Sequence, residues 1–221
     1  MNLYDVMRTT FAAREHLPEP ISDETIYRIL ENARFAPSGG NRQGWHVIIV
    51  RDPEKRKALG PLISPVMQRY RAMVAAGENP YNTIEATKVS GDDVSKMRVS
   101  DAFLDQFTAA PVLLLILVDL SVVASMDSEL DRVGVISGAS IYPFVWNILL
   151  AARNEGLGGT LTTFLAAQEP EVKKLFGIPD HFAVSALLPI GKPVKQLTRL
   201  RRKPVNEFTT IDDFNGEVFS L

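Results

Sequence analysis

The apolar positions of this chain change their period several times. After Ser22, the residues Ile26, Ile29, Leu30 and Ala33 recur on one helical face, and Ser22-Asp23-Glu24 is a start signal, so a helix is predicted over Asp23–Phe35. A first helix is predicted over Leu3–Thr10. Apolar runs too short for helices predict buried strands at His46–Val50, Val112–Asp119, Gly159–Phe164 and Phe182–Pro189. Pro170 after Glu169, followed by Gly177, brackets a short helix through Val172, Leu175 and Phe176.

The longest uncharged run, Val133–Ala152, has about the length needed to span a bilayer. It carries Ser137, Gly138, Ser140, Pro143 and Asn147, so a helix buried inside protein and apolar all round is the better reading. Such a helix needs a partner surface, which a second copy of the chain supplies most easily, and a homodimer is therefore expected. Residues Ser64–Phe107 mix Gly77, Pro80, Gly91 and charges around the helix-like stretches Met67–Ala76 and Ser95–Phe107. With apolar anchors at Tyr81, Met97 and Phe103, this region reads either as a mobile cover over a site or as an ordinary surface excursion. The order of elements is α+β, not a repeated β-α-β, and no G-x-G-x-x-G follows a strand, which disfavours a Rossmann fold.

At 221 residues and 46% hydrophobic, the chain can bury a core as a single domain over 1–221, and no linker divides it. A net charge of -2 and a pI near 6.0 argue against general nucleic-acid binding. With no cysteine there is no thiol catalysis, disulfide or thiolate metal site. His16, His46 and His181 have no metal-ligand spacing and no Ser–His–Asp arrangement can be argued for them. The first residues, Met-Asn-Leu-Tyr-Asp-Val, lack a basic start and an apolar core, so a cytoplasmic location without membrane contact is expected.

The candidate chemistry lies in Ala36-Pro-Ser-Gly-Gly-Asn-Arg-Gln-Gly-Trp45, a polar Gly-rich loop between the second helix and the first strand. A helix-to-strand junction needs one or two turn residues, yet this one is crowded with hydroxyl, amide and backbone groups able to grip a heteroaromatic ring. Two further segments accompany it: Asn147-Ile-Leu-Leu-Ala-Ala-Arg-Asn-Glu-Gly-Leu-Gly-Gly159, and the basic Arg199-Leu-Arg-Arg-Lys-Pro204. In this order the three resemble the nitroreductase family of flavin enzymes, whose pattern they follow over nearly the whole chain.

The resemblance implies a three-layer sandwich with a mainly antiparallel sheet flanked by helices, in an intertwined homodimer whose C-terminal stretch 204–221 extends across the partner. It implies FMN as cofactor, NAD(P)H as donor, and a ping-pong reaction with a small acceptor such as a nitroaromatic or quinone. Ser38, Gly39, Asn41 and Gln43 would then line the flavin from one subunit. The backbone of Thr160, Leu161 and Thr162 would approach the ring where hydride arrives, and Arg14, Arg201 and Arg202 would meet the phosphate side. No side chain is assigned to acid or base catalysis, because the flavin carries the chemistry. The chain departs from the family where an R-R-S-x-R is usual: Thr10-Phe11-Ala12-Ala13-Arg14 keeps only Arg14, with Arg8 nearby. A flavin-storing or sensing protein and a flavin-dependent dehalogenase or dehydrogenase are the rival readings.

Overall fold

The computed structural model describes all 221 residues. Seven helices and four strands follow one another as α1 (Leu3–Thr9), α2 (Asp23–Ala33), β1 (Trp45–Ile49), α3 (Pro53–Ala75), α4 (Gly91–Ser95), α5 (Asp101–Thr108), β2 (Val112–Asp119), α6 (Tyr142–Asn154), β3 (Gly158–Gly159), α7 (Glu169–Phe176) and β4 (Phe182–Gly191). Side chains start the helices as their sequence signals require. Asn2 accepts from Asp5 N at 2.9 Å, Ser22 from Thr25 N at 3.3 Å, and Asp52 from Glu54 N at 2.8 Å, each relieving an orphan N–H of a first turn.

The strands form one sheet in the order β1-β2-β4-β3, antiparallel throughout. Alternation along β2 sends Val112, Leu114, Ile116 and Val118 to a core with α2 and α6, and Leu113, Leu115 and Leu117 to a second core with α3, α5 and α7. Cross-strand partners share a face: Leu114 opposes Leu188 in the first core, and Leu115 opposes Leu187 in the second. Between Val184 and Ala186 the register slips, leaving Ser185 as the extra residue of a bulge. That slip is why two residues of like spacing, Val184 and Ala186, face opposite cores. The result is the expected helix-sheet-helix sandwich.

Three expectations need correction. Val133–Ala152 is not one buried helix: α6 begins only at Tyr142, Ile136–Ser140 form a short 3-10 turn, and Val133 and Val135 are exposed. Pro143 has no N–H and restricts Tyr142 before it, so it fits the first turn of a helix but not its interior. Within the single chain Tyr142 and Trp146 of α6 each keep 41% of their surface exposed. The strand predicted at Gly159–Phe164 is paired only at Gly158–Gly159 and again at Thr162 opposite Leu187. Both ends keep one register against β4, but the residue opposite Thr160 is Pro189, which has no N–H to return a ladder bond. Finally, the helix predicted from Met67 starts at Pro53 and runs through Pro61 and Pro65, both on its exposed side, while Ser95–Phe107 is helical only from Asp101, in α5, since α4 ends at Ser95. No helix is long and apolar enough to cross a membrane.

Candidate active site

The segment after α1 is clamped to the sheet by backbone. Ala13 N donates to Gly159 O at 3.0 Å, Leu17 N to Lys192 O at 2.8 Å and Val194 N to Glu15 O at 3.0 Å. Ala12 therefore lies parallel to Gly159 at the sheet edge, the one parallel pairing there. Glycine is required along this seam. A Cβ on Gly159 would stand 2.7 Å from Pro189 O, and one on Gly191 would stand 2.7 Å from the His16 Cβ.

This packing brings Arg14 beside Thr160, Leu161 and Thr162. Together with Met67 and Tyr70 of α3, Phe103 and Phe107 of α5, and Phe164, they line a cavity of ≈ 320 Å³. Phe107 meets Phe103 and Phe164 edge to face, at 5.1 and 5.8 Å between ring centres, so one wall is a packed aromatic cluster. Thr160 and Thr162 are buried, and Thr162 Oγ1 has no hydrogen-bond partner, although a buried hydroxyl ordinarily finds one. Arg14 is exposed and spends a single N–H on Ala12 O at 3.3 Å, leaving most of its five donors for another acceptor. A larger cavity of ≈ 620 Å³ lies further along α3 between Arg69, Met73, Glu78 and Lys88, but it holds none of the predicted residues.

The Gly-rich loop forms a separate structure. Gly40, Asn41 and Gln43 have φ of 61°, 52° and 51°, a left-handed conformation rare for non-glycine residues and typical of sites that store strain. Short bonds hold it: Gln43 N donates to Ser38 Oγ at 2.9 Å, Asn41 N to Ser38 O at 2.9 Å, and Gly39 N to Ser140 Oγ at 3.1 Å. The Gln43 amide donates to Asn41 Oδ1 at 3.2 Å, a local side-chain contact of the kind that favours turns. Ser140, buried ahead of α6, thus braces the loop and is a residue that sequence reasoning did not assign. Its only signal was its polarity inside an apolar run.

The two groups do not meet within one chain. The loop enters β1 at Trp45, opposite Val118, whose partner on β4 is Ala183, whereas Gly159 pairs with Ile190 near the other end of β4. Three strand spacings separate the edges, roughly 14 Å, and seven residues along β4 add roughly 23 Å in the other direction. Arg201 and Arg202 do not line the Arg14 cavity. They are exposed, and Arg202 donates to Arg201 O at 2.7 Å. The tail starts beside α1, where Gln196 Nε2 donates to Thr9 O at 3.0 Å. Arg8 lies in the last turn of α1 over the Tyr4 ring, not in the cavity.

His16 is half-buried with its Nε2 enclosed and unpartnered, and burial holds its pKa below the usual histidine value, partly offset by the Gly158 backbone. His46 is exposed on β1, edge to face with Phe182.

Comparison with known proteins agrees with this architecture. The chain is 25% identical over 231 residues to nitrobenzene nitroreductase of Ectopseudomonas oleovorans, covering 93% of this chain and 95% of that protein. It is 26% identical over 208 residues to human iodotyrosine deiodinase 1, covering 92% of this chain but only 66% of the longer relative. A solved structure of oxidised iodotyrosine deiodinase bound to FMN and 3-iodo-L-tyrosine superposes with a TM-score of 0.68 at 23% identity, over 96% of this chain and all of that one. The profile described as the nitroreductase family matches residues 7–192, and the chain belongs to that family.

Proposed function

We propose that this chain is an FMN-dependent NAD(P)H oxidoreductase acting on a small acceptor such as a nitroaromatic or quinone, as a cytoplasmic homodimer. One observation carries the reading: a cavity with an under-used guanidinium and a buried, unpartnered hydroxyl stands at one corner of the sheet, and a strained polar loop at the opposite corner. A three-ring heterocycle is far shorter than that diagonal, so the two groups serve one flavin only if two copies bring them together.

The surface of the chain supports such pairing. Its accessible area of 13812 Å² is more than a third above the roughly 10,000 Å² expected of a compact monomer of this mass. Phe208, Phe214 and Phe219 of the stretch 204–221 are exposed by 63%, 93% and 48%, as are Tyr142 and Trp146 on α6. Exposed apolar area on this scale is what a large subunit interface covers.

In this reading Ser38, Gly39, Asn41 and Gln43 of one copy orient the ring against Thr160, Leu161 and Thr162 of the other, while Arg14, Arg201 and Arg202 lie toward the phosphate. Thr162 Oγ1 offers a donor and an acceptor to the polar edge of the ring, and the glycines before it let backbone approach a flat surface. Met67, Tyr70, Phe103 and Phe107, all from the region 64–107, exclude water as a cover. FMN, when bound, supplies the hydride-accepting and hydride-donating ring, the basis of a two-stage exchange between nicotinamide and acceptor.

The test is an absorbance spectrum of the purified protein followed by NADH and NADPH oxidation with a nitroaromatic, a quinone and a halogenated phenol. Flavin absorbance with turnover on the first two is the expected result. Flavin without turnover on any acceptor would overturn the enzyme reading in favour of storage, and halide release from the phenol alone would shift it to dehalogenation.

A further inference from the structure

The stretch between β2 and α6 is built with its charge inside and its apolar side chains outside. Val123 packs on the first core, but within the single chain Met126, Leu130, Val133 and Val135 are exposed, whereas Asp127 is only 4% exposed. Its carboxylate takes four donors from its own neighbourhood. Oδ2 accepts from Arg132 Nη1 at 2.7 Å, Val135 N at 2.7 Å and Ile136 N at 3.4 Å, and Oδ1 accepts from Ser125 Oγ at 3.2 Å. The Val135 N–H, and after it the Arg132 guanidinium, hold this carboxyl well below the usual carboxylate range, so it stays ionised. A loop that turns its apolar side chains outward has no core of its own to fold around. Charge-assisted hydrogen bonds to one buried carboxylate shape it instead.

Both ends of this stretch hold the Gly-rich loop. At the β2 end, Asp119 N donates to Gly44 O at 2.7 Å, Arg42 Nη1 donates to Val122 O at 3.4 Å, and a Cβ on Gly44 would stand 2.7 Å from Val122 Cγ2. At the α6 end, Ile136–Ser140 form the 3-10 turn that carries Ser140 Oγ to Gly39 N. The two N–H groups that Asp127 Oδ2 receives belong to Val135, just before that turn, and to Ile136, which opens it. Ser140 therefore stands where it does because Asp127 fixes the start of its turn.

Resting on the flavin reading above, we propose that Asp127 is a positioning residue of the flavin site. It acts through Ser140 and not by contact: by fixing the turn Ile136–Ser140 it sets where Ser140 holds Gly39, and so the shape of the loop Ser38–Gln43. Substitutions at 127 and 140 are then steps along one route, and their effects do not add.

Full-length protein stripped of flavin tests this, unaltered and as Asp127→Asn, Ser140→Ala and the double variant. Two quantities are read: amide hydrogen exchange of peptides spanning 38–44, and FMN affinity by quenching of flavin fluorescence. Asp127→Asn keeps the shape of the side chain but removes its charge and one acceptor oxygen. Exchange at 38–44 should quicken while β2 and β4 keep their protection. FMN should bind about tenfold more weakly, the scale of one lost hydrogen bond to a charged group. The double variant should bind FMN no more weakly than the weaker single one. Should Asp127→Asn fail to fold, Arg132→Ala, which takes one donor from the carboxylate on its exposed side, should give the same pattern in smaller measure.

Faster exchange confined to 125–136, faster exchange spread through the whole sheet, or losses of FMN affinity that multiply in the double variant would each overturn the inference and leave the flavin reading intact. Unaltered protein that binds no FMN would overturn the flavin reading, and exchange at 38–44 would then decide alone whether Asp127 sets the loop.

Discussion

The two glycine-containing parts of the candidate site are built in opposite ways. The wall around Gly158–Thr162 is buried and locked by the sheet: its glycines are there because a side chain would strike Pro189, Ile190 or Ala13. The loop Ser38–Gly44 stands mostly exposed at the other edge, and Gly40 is there because its φ of +61° is easy only without a Cβ, whose nearest neighbour would be an Arg42 side-chain atom at 3.4 Å. Gly159 is constrained by space, Gly40 by backbone angle. Changes in the wall should therefore cost folding, and changes in the loop should cost binding first.

The largest effect is expected at Gly159→Ala. The added methyl meets a backbone oxygen at 2.7 Å that cannot rotate away, so overpacking should remove about 1–3 kcal/mol and lower Tm by roughly 2–4 °C per kcal/mol, as a melt of the flavin-free protein would show. An unchanged melting point would mean that Gly159 is not packed against Pro189, Ile190 and Leu149 as described. Gly40→Ala sharpens the contrast: a left-handed residue with a Cβ costs about 1–2 kcal/mol, yet the loop stands mostly exposed, outside the packed core. Titration with FMN should show a clear loss of affinity with a smaller change in Tm, and a variant that melts early but binds flavin normally would erase the distinction between loop and wall.

Ser140→Ala should do less to the fold and still loosen the loop. It removes the acceptor for Gly39 N–H, one hydrogen bond worth about 0.5–1.5 kcal/mol, and Ser140→Thr, which keeps the hydroxyl, should restore binding. Equal behaviour of the two variants in a flavin titration would show that bulk, not the hydrogen bond, matters there. The smallest effect concerns His16 behind the wall. Its folded pKa is depressed, so it contributes stability that is fully present above the unfolded value of ~6.5 and is lost as pH falls through the lowered one. Tm should decline from neutral toward mildly acidic pH, and His16→Gln should flatten that part of the curve.

Much of the fold was legible because its signals are local. Ile26, Ile29 and Ala33 mark the buried face of α2, Ser22 caps it, and β2 spans the predicted Val112–Asp119. The short helix between Pro170 and Gly177 ends on Gly177 in the left-handed conformation that glycine allows. Where the reading failed, distant contacts decided. Pro189 interrupts the pairing of Thr160 from across the sheet, and nothing within 160–162 announces it. The uncharged run before α6 looked helical by composition, but Pro143 and two glycines give its first half to turns. The strain at Asn41 and Gln43 was invisible because neither residue demands a positive φ as a glycine would.

The sequence by itself determined the family, the order of helices and strands, and the loop and basic tail that carry the candidate chemistry. The element order follows from periodicity, caps and turn residues acting over a few positions, and the family from the resemblance of three motifs in the right order. Only the tertiary structure decided that Arg14 joins Thr160–Thr162 in one cavity, that Ser140 reaches Gly39 across 101 positions, and that the polar loop stands at the opposite corner of the sheet. Strand order and register are fixed by which buried faces match across the whole core, a balance that no short stretch of chain contains.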